Sequence, residues 1–283
     1  SMTAEVACRP VGLILGLSTS LTPFSMRPTF KALADIPLQQ RLEKLRDPAV
    51  RQAILNEPIS PELLAILPPL QQQIATRWDR LYLLGDPPDY EPVADRSVAA
   101  MAAQAGNTPE EFAYDYLTGI DGSRTFYFPV TNYVTGDHEP VREMLADPAT
   151  LLGLSDGGAH CGVICDASAP TFMLTHWARD RSRGPQFPLE WVVKSQTSDT
   201  ADFFGFNDRG RLLPGKKADL NLIDFQNLRI HPPHIQYDLP AGGKRLMQTA
   251  DGYVATIVSG KPTFENGQST GELPGRLVRS SGP

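Results

Sequence analysis

The stretch from residue 151 to 160, Leu-Leu-Gly-Leu-Ser-Asp-Gly-Gly-Ala-His, has the clearest capacity for chemistry. Its apolar start predicts a buried strand that ends at Asp156. In a parallel α/β barrel, the C-terminal ends of the strands carry the active site. Gly157 and Gly158 have no Cβ, so the backbone can turn sharply there and approach a ligand. We therefore expect a catalytic carboxylate at Asp156, although an Asp-Gly pair taken alone is more often a simple hairpin turn.

The same stretch also matches the pattern of a serine nucleophile. Gly-Leu-Ser-Asp-Gly at 153–157 fits G-x-S-x-G, with Ser155 as the nucleophile. Asp199 and either His231 or His234 could complete the order serine, acid, histidine. Such a turn must lead into a helix, and the two glycines after the aspartate are poor helix formers. A serine hydrolase is therefore the weaker alternative, and a non-catalytic assembly module is a third hypothesis.

His160 lies four residues beyond Asp156 and could contact a substrate or orient the carboxylate. Together with Cys161 and Cys165 it could also be read as a metal-binding set. Buried cysteines usually act as small hydrophobic side chains, and this is the favoured interpretation here.

The remaining histidines carry weaker signals. His231 and His234 are separated by two prolines, a pattern that favours an exposed loop over a pair of metal ligands. His138 is interpreted as the polar start of a helix. His176 lies within a helical stretch and is assigned to the core or the surface.

Further candidates for substrate contact are polar residues near predicted element ends. Asn132 and Tyr133 follow a predicted strand. Arg179, Arg181 and Arg183 could bind a substrate carboxylate through two hydrogen bonds, although a solvated run of charges is the favoured interpretation for most of them.

Composition limits the classes of function. The chain has 283 residues, a net charge of −6 and a pI near 5.4, which argue against a nucleic-acid or anionic-membrane partner and favour a small-molecule substrate. We find neither a signal peptide nor an apolar run of roughly 20 residues, and we expect a cytoplasmic location. Three cysteines do not suggest a disulfide framework. Ser1 before Met2 resembles the remnant of a cleaved tag, and a strand follows almost at once, so we expect the chain to begin within a domain.

Periodicity predicts two regions. Residues 3–207 alternate strands and helices, which is typical of a parallel sheet, with a helical excursion over residues 28–118. Residues 208–283 are rich in turns and β-formers and predict a small, mostly antiparallel β unit. The principal expected elements are strands over 6–17, 125–130 and 151–155, and helices over 38–45, 61–67, 71–84, 137–145 and 189–203. A further helix should begin after Thr108, with Thr108 as its N-cap and Glu111 three residues beyond the cap.

Several runs in the second half of the sequence form a recognisable set. The most specific is Leu213-Pro-Gly-Lys-Lys-Ala-Asp-Leu. The others are Ser155-Asp-Gly-Gly-Ala-His, the stretch from Thr197 to Gly210, Ile257-Val-Ser-Gly-Lys and Pro274-Gly-Arg. Together they resemble the amidohydrolase superfamily, and most closely its branch of N-acyl-D-amino-acid deacylases, or D-aminoacylases. Residues 150–276 carry most of the resemblance.

The resemblance implies an α/β fold, the C-terminal part of a (β/α)8 barrel followed by part of a β-sandwich. It also implies one or two divalent metals, usually zinc, held by a His-x-His, a bridging group, two further histidines and an aspartate. Asp156 matches that aspartate, which would take a proton from an activated water and return one to the leaving amide nitrogen. The implied substrate is an N-acyl-D-amino acid or a similar N-acyl compound.

The sequence departs from this pattern in one respect. It contains no His-x-His, and all five histidines lie at or after His138. We therefore expect the other metal ligands to be absent, and the chain alone to bind zinc weakly or not at all and to be inactive. An incomplete barrel exposes strand edges, so we expect a homo-oligomer or an association with a missing N-terminal half. The edge near residues 11–17 should be covered by another copy, by another chain or by the helical excursion.

Overall fold

Two short strands open the chain in place of the single strand expected over residues 6–17. They are Ala4–Ala7 (β1) and Gly12–Gly16 (β2), in a computed structural model that describes residues 2–155 and 160–279. Pro10 between them has no amide hydrogen to donate to a sheet. The buried Arg9 side chain donates to the carbonyl oxygen of Cys165 at 2.6 Å, which holds the bend in place. β1 and β2 consequently join different sheets.

The helical excursion over 28–118 is present. Its helices are Pro28–Lys31 (α1), Leu38–Leu45 (α2), Pro48–Asn56 (α3), Pro61–Ile66 (α4), Pro69–Thr76 (α5), Val98–Ala105 (α6) and Pro109–Thr118 (α7). Proline is the first residue of most of them. It has no amide hydrogen, and at the first position of a helix that hydrogen would have no helical acceptor.

The helix expected over residues 71–84 is wrong beyond Thr76. After a 3-10 turn, Trp78–Arg80, the chain forms the short strand Tyr82–Leu83 (β3). This strand pairs with Thr125–Pro129 (β4), so a tertiary partner overrides the local helical pattern.

The sheet that contains β2, β4 and β3, in that order, is antiparallel at both pairings. This corrects the expectation of parallel strands throughout residues 3–207. Apolar periodicity identifies a buried strand but carries no information about the direction of its neighbour.

A parallel pair does form between β1 and Thr150–Gly153 (β5), with Val6 opposite Leu152. The helix Glu139–Ala146 (α8) leads into β5. The helices beyond residue 160 are Ala169–Phe172 (α9), which continues into a π-helix at Met173–Asp180, and then Leu189–Gln196 (α10) and Ser198–Phe203 (α11). The single helix expected over 189–203 is therefore two helices, which meet at Thr197, whose φ of −126° and ψ of −86° are not helical.

The tail is antiparallel in every pairing that the structure describes, as expected. Its strands are Leu220–Ile223 (β6), Arg229–Ile230 (β7), His234–Leu239 (β8), Gly243–Met247 (β9), Ala250–Asp251 (β10), Tyr253–Val258 (β11), Lys261–Glu265 (β12) and Gln268–Ser269 (β13). They form a four-stranded sheet in the order β13-β12-β11-β6 and two two-stranded sheets.

Two hydrophobic clusters stabilise the fold. One packs β2 and β4 against the helical excursion, with Leu15, Leu45 and Phe126 fully buried. The other joins β1, α8, the π-helix and the tail, and includes Trp177 and Leu246. Because the second cluster contains residues from before and after residue 208, the tail packs against β1, α8 and the π-helix.

Residues of the chain itself hydrogen-bond to the outer edge of β2. The amide of Ile14 donates to the carbonyl oxygen of Val163 at 2.7 Å, and Ser20 donates to Gly162 at 3.0 Å. The helical excursion covers the adjoining apolar face. None of the helices within the described ranges is long and apolar enough to cross a membrane.

Candidate functional site

A cavity of about 650 Å³ opens at the C-terminal end of β5. Ser155 lines it, together with the first residues of α9 and residues of α10, α11 and β6. Asp156, Gly157 and Gly158, the predicted catalytic and backbone-approach residues, lie outside the described residues. Their roles stay predictions. Ser155, the described residue that precedes them in the sequence, lines the cavity.

The other predicted contact residues lie at different places. His160 is exposed, and its carbonyl oxygen accepts from Val163 and Ile164. Asn132 is exposed, with a positive φ of 53°. Tyr133 is buried, and its hydroxyl donates to the carbonyl oxygen of Pro92 at 2.6 Å. None of the three predicted residues lines the cavity beyond β5.

The residues of the alternative serine mechanism are not assembled into a triad. Asp199 pairs with Lys194, and the ring of His231 pairs with Asp251 at 2.8 Å. Within the ranges that the structure covers, neither His231 nor His234 hydrogen-bonds Ser155. The geometry thus gives the nucleophile hypothesis no support.

A different set of chemically capable side chains meets at the start of α8. The Nδ1 atom of His138 lies 3.3 Å from Nε2 of His176, and that Nε2 lies 3.1 Å from Oε2 of Glu91. Nδ1 of His138 is 3.9 Å from the same oxygen. The ligand atoms of these three side chains lie within 4.8 Å of one another, close enough to hold one metal ion. We call it the Glu91 cluster.

Three separate elements hold the Glu91 cluster together. His138 lies immediately before α8, and its backbone amide donates to Oε1 of Glu91 at 2.7 Å. The π-helix carries His176, whose ring stacks on Phe172 with centroids 4.5 Å apart. Glu91 itself lies in a loop whose backbone is fixed by a hydrogen bond from its amide to Asp89.

Arginines surround the carboxylate. Arg181, fully buried, contacts both oxygens of Glu91 at 3.3 Å and also reaches Glu139. Arg183 donates to the carbonyl oxygen of Glu91 and to the hydroxyl of Tyr133. Arg181 is therefore an internal ion-pair partner and not part of a solvated run of charges.

Protonation in the Glu91 cluster follows from these contacts. Burial alone raises the pKa of Glu91, but hydrogen bonds from His176 and Arg181 and the proximity of His138 outweigh it and hold the pKa well below its usual range. Burial, together with the charges of His176 and Arg181, lowers the pKa of His138 to about 3. At neutral pH the cluster thus has an ionised carboxylate and a neutral His138 ring, the forms that bind metal ions.

The Glu91 cluster and the cavity beyond β5 lie on opposite faces of one helical segment. Ala169, Met173 and Leu174 line the cavity. Phe172, Thr175 and His176 line a second cavity, of about 560 Å³. The cavity beyond β5 has no histidine in its described lining, and its carboxylate, Asp219, is occupied by Arg209 and the amide of Ser259. The described residues there do not fit the catalytic metal that the resemblance implies.

Sequence reasoning missed the Glu91 cluster. His138 is at the start of a helix, as expected, but it is completely buried. Glu91 was not singled out, and no local spacing connects it to positions 138 and 176. The interpretation of Cys165 as a small hydrophobic side chain is correct, because Cys165 is buried. Burial also raises the pKa of its thiol to about 11.

Comparison with known proteins places these sites in context. The solved structures similar to the chain include a D-aminoacylase mutant with copper chloride (20% identity, TM-score 0.39, 73% of this chain and 39% of that chain). A second is a D-aminoacylase described for its binuclear metal centre (22% identity, TM-score 0.38, 71% and 37%), and a third is a D-aminoacylase described as defining a subset of amidohydrolases (23% identity, TM-score 0.37, 68% and 36%). The chain thus spans less than two fifths of the length of each. No curated protein matches it.

The model of the amidohydrolase family matches residues 1–264, nearly the whole sequence. The chain therefore belongs to the amidohydrolase family.

Proposed function

We propose that this chain is the C-terminal portion of a metal-dependent amidohydrolase that hydrolyses the amide bond of N-acyl-D-amino acids or similar N-acyl compounds. The observation that carries the proposal is the family match over residues 1–264. It is supported by a cavity at the end of the parallel strand that leads to Asp156.

In the proposed reaction, water adds to the acyl carbon, the C–N bond breaks, and the products are a carboxylate and a free amino acid. Asp156 takes the proton from the attacking water and then donates a proton to the leaving nitrogen. A divalent metal such as zinc would polarise the amide carbonyl and activate the water. The described residues around the cavity do not supply its ligands, so they would have to come from elsewhere in the complete enzyme.

The chain alone should be inactive. A catalytic zinc normally needs three protein ligands, and Asp156 would supply only one of them. The test is to incubate the purified chain with N-acetyl-D-amino acids, with and without added zinc, and to measure release of free amine. We expect no release above the buffer rate. Turnover that a chelator abolishes would contradict the stated inactivity and show that the chain completes a catalytic metal site by itself.

A further inference from the structure

We propose that Glu91, His138 and His176 bind one divalent transition-metal ion of the zinc class, at a site separate from the cavity beyond β5. The ion would tie the loop before Pro92, the start of α8 and the π-helix to one another. This inference does not rest on the proposed amidohydrolase function, because it concerns the opposite face of the helical segment.

The spacing of the three donor atoms supports the proposal. A tetrahedral ion with bonds of about 2.0–2.2 Å holds its ligand atoms about 3.3–3.6 Å apart. The three distances among Oε2 of Glu91, Nδ1 of His138 and Nε2 of His176 are 3.1, 3.3 and 3.9 Å. Two imidazole nitrogens and one carboxylate oxygen form a ligand set that catalytic zinc sites use, with the fourth position left to water.

Protons alone satisfy this arrangement poorly. The ring of His138 is surrounded by Tyr133, Phe172 and Trp177, with centroids within 6.0 Å, and its Nε2 is buried with no hydrogen-bond partner. A proton on Nε2 interacts weakly and favourably with aromatic rings, whereas a bare lone pair does not. Nδ1 of His138 then presents a lone pair to the cluster.

His176 has one Nε2 proton to offer, and two acceptors compete for it. Oε2 of Glu91 lies at 3.1 Å and Nδ1 of His138 at 3.3 Å. If the proton goes to Glu91, Nδ1 of His138 is left without a donor, and if it goes to His138, Oε2 of Glu91 keeps only the 3.3 Å contact from Arg181. Either choice leaves one buried acceptor poorly satisfied. A single cation at the point where the three atoms converge satisfies all of them.

Arg181 is the competitor that the proposal must accommodate. Its guanidinium contacts both oxygens of Glu91, but at 3.3 Å, longer than a typical charge-assisted hydrogen bond of about 2.7–2.9 Å. It also shares its charge with Glu139. A carboxylate has about four lone-pair positions, so Glu91 can bind an ion while Arg181 keeps its orientation fixed.

The second cavity gives an ion access to the site. His176 is 15% exposed at its side chain and forms part of the wall of this cavity of about 560 Å³. Glu91 and His138 are buried behind it. Metal can therefore reach His176 from solvent without unfolding of the surrounding elements.

The test is direct measurement of metal binding by the full chain. The metal-free protein is titrated with Zn²⁺ by calorimetry and with Co²⁺ in the visible range, where tetrahedral cobalt absorbs strongly. In contrast to the weak or absent zinc binding expected from the sequence, we expect one equivalent bound, and at least tenfold weaker binding in His176→Gln and in Glu91→Gln. His234→Gln, at an exposed histidine, is the matched control and should bind like the unmodified chain.

Three outcomes would overturn the proposal. They are binding of less than a tenth of an equivalent, a cobalt spectrum without tetrahedral bands, and binding that both cluster variants retain, which would place the ion elsewhere. If a cluster variant does not fold, as judged by circular dichroism, the stoichiometry and cobalt spectrum of the unmodified chain decide alone.

Discussion

His138 and His176 lie 38 residues apart in the sequence, yet their ring nitrogens approach to 3.3 Å, and both face the buried carboxylate of Glu91. The contact joins the start of α8 to the π-helix, on the side away from the end of β5. The arrangement separates a metal-compatible cluster from the strand end where the family's catalytic aspartate is predicted.

Replacing Arg181 should strongly destabilise the fold. Arg181→Gln leaves the carboxylates of Glu91 and Glu139 without their shared cation, and removing one partner of a buried ion pair costs about 3–5 kcal/mol. Urea unfolding measures the loss. Arg211→Gln, which breaks an exposed pair with Asp202, should change stability little. Equal effects of the two substitutions would contradict the assigned role of Arg181.

Tyr133→Phe should reduce stability by about 1–3 kcal/mol, because it removes the donor to the buried carbonyl of Pro92 and an acceptor of Arg183. Tyr237→Phe, at an exposed tyrosine, is the control and should have no measurable effect. If Tyr133→Phe is as stable as the unmodified chain, the hydroxyl is free for another use, such as the substrate contact predicted from the sequence.

Gly12 should not tolerate a side chain. A Cβ at this position would lie 2.1 Å from Cε2 of Tyr127 on the neighbouring strand, so Gly12→Ala forces β2 and β4 apart. Overpacking of this kind typically costs about 1–3 kcal/mol. Gly275→Ala has open space around it and is the control. A melting temperature unchanged in Gly12→Ala would show that β2 and β4 do not pair in this register.

Stability should fall as the pH rises above 9. Burial raises the pKa of Cys8 from 9.0 to about 12, so above pH 9 the unfolded chain loses this thiol proton while the folded chain keeps it. Unfolding is therefore favoured, with a slope that approaches about 1.4 kcal/mol per pH unit for one such thiol. Measurement of urea unfolding between pH 9 and 10 limits the contribution of tyrosines, whose ordinary pKa is 10.0.

Cys8→Ala should lose its share of this slope, whereas Val6→Ala, at a buried side chain that does not titrate, should lower stability equally at every pH. A slope that persists unchanged in Cys8→Ala would show that other groups cause it.

The local parts of the fold could be predicted from the sequence. The capping box of Thr108 and Glu111 follows from the residue spacing, and both of its hydrogen bonds are present. β4 and β5 follow from short runs of apolar and β-branched residues. These features depend on neighbours within a few positions, which is the range over which sequence patterns are informative.

Long-range pairing could not be predicted in the same way. The antiparallel direction of β2 against β4 depends on a partner more than 100 residues away. The Glu91 cluster needs three elements to meet, and Glu91 is 47 residues from His138. When distant elements meet and bury a polar residue, no local sequence pattern announces it. The sequence therefore indicates only a polar helix start at His138 and a solvated run of charges around Arg181.

The most direct test of the proposed function is an assay of the complete enzyme that contains this chain, with N-acetyl-D-amino acids as substrates and free amine as the readout. Asp156→Asn should keep the fold and lose about a hundred- to ten-thousand-fold in rate, because an amide cannot accept the proton of water. Ser155→Ala should retain far more activity than Asp156→Asn. A chelator should abolish the activity of the unmodified enzyme. The account is contradicted if Ser155→Ala is inactive while Asp156→Asn and the chelator-treated enzyme both turn over substrate.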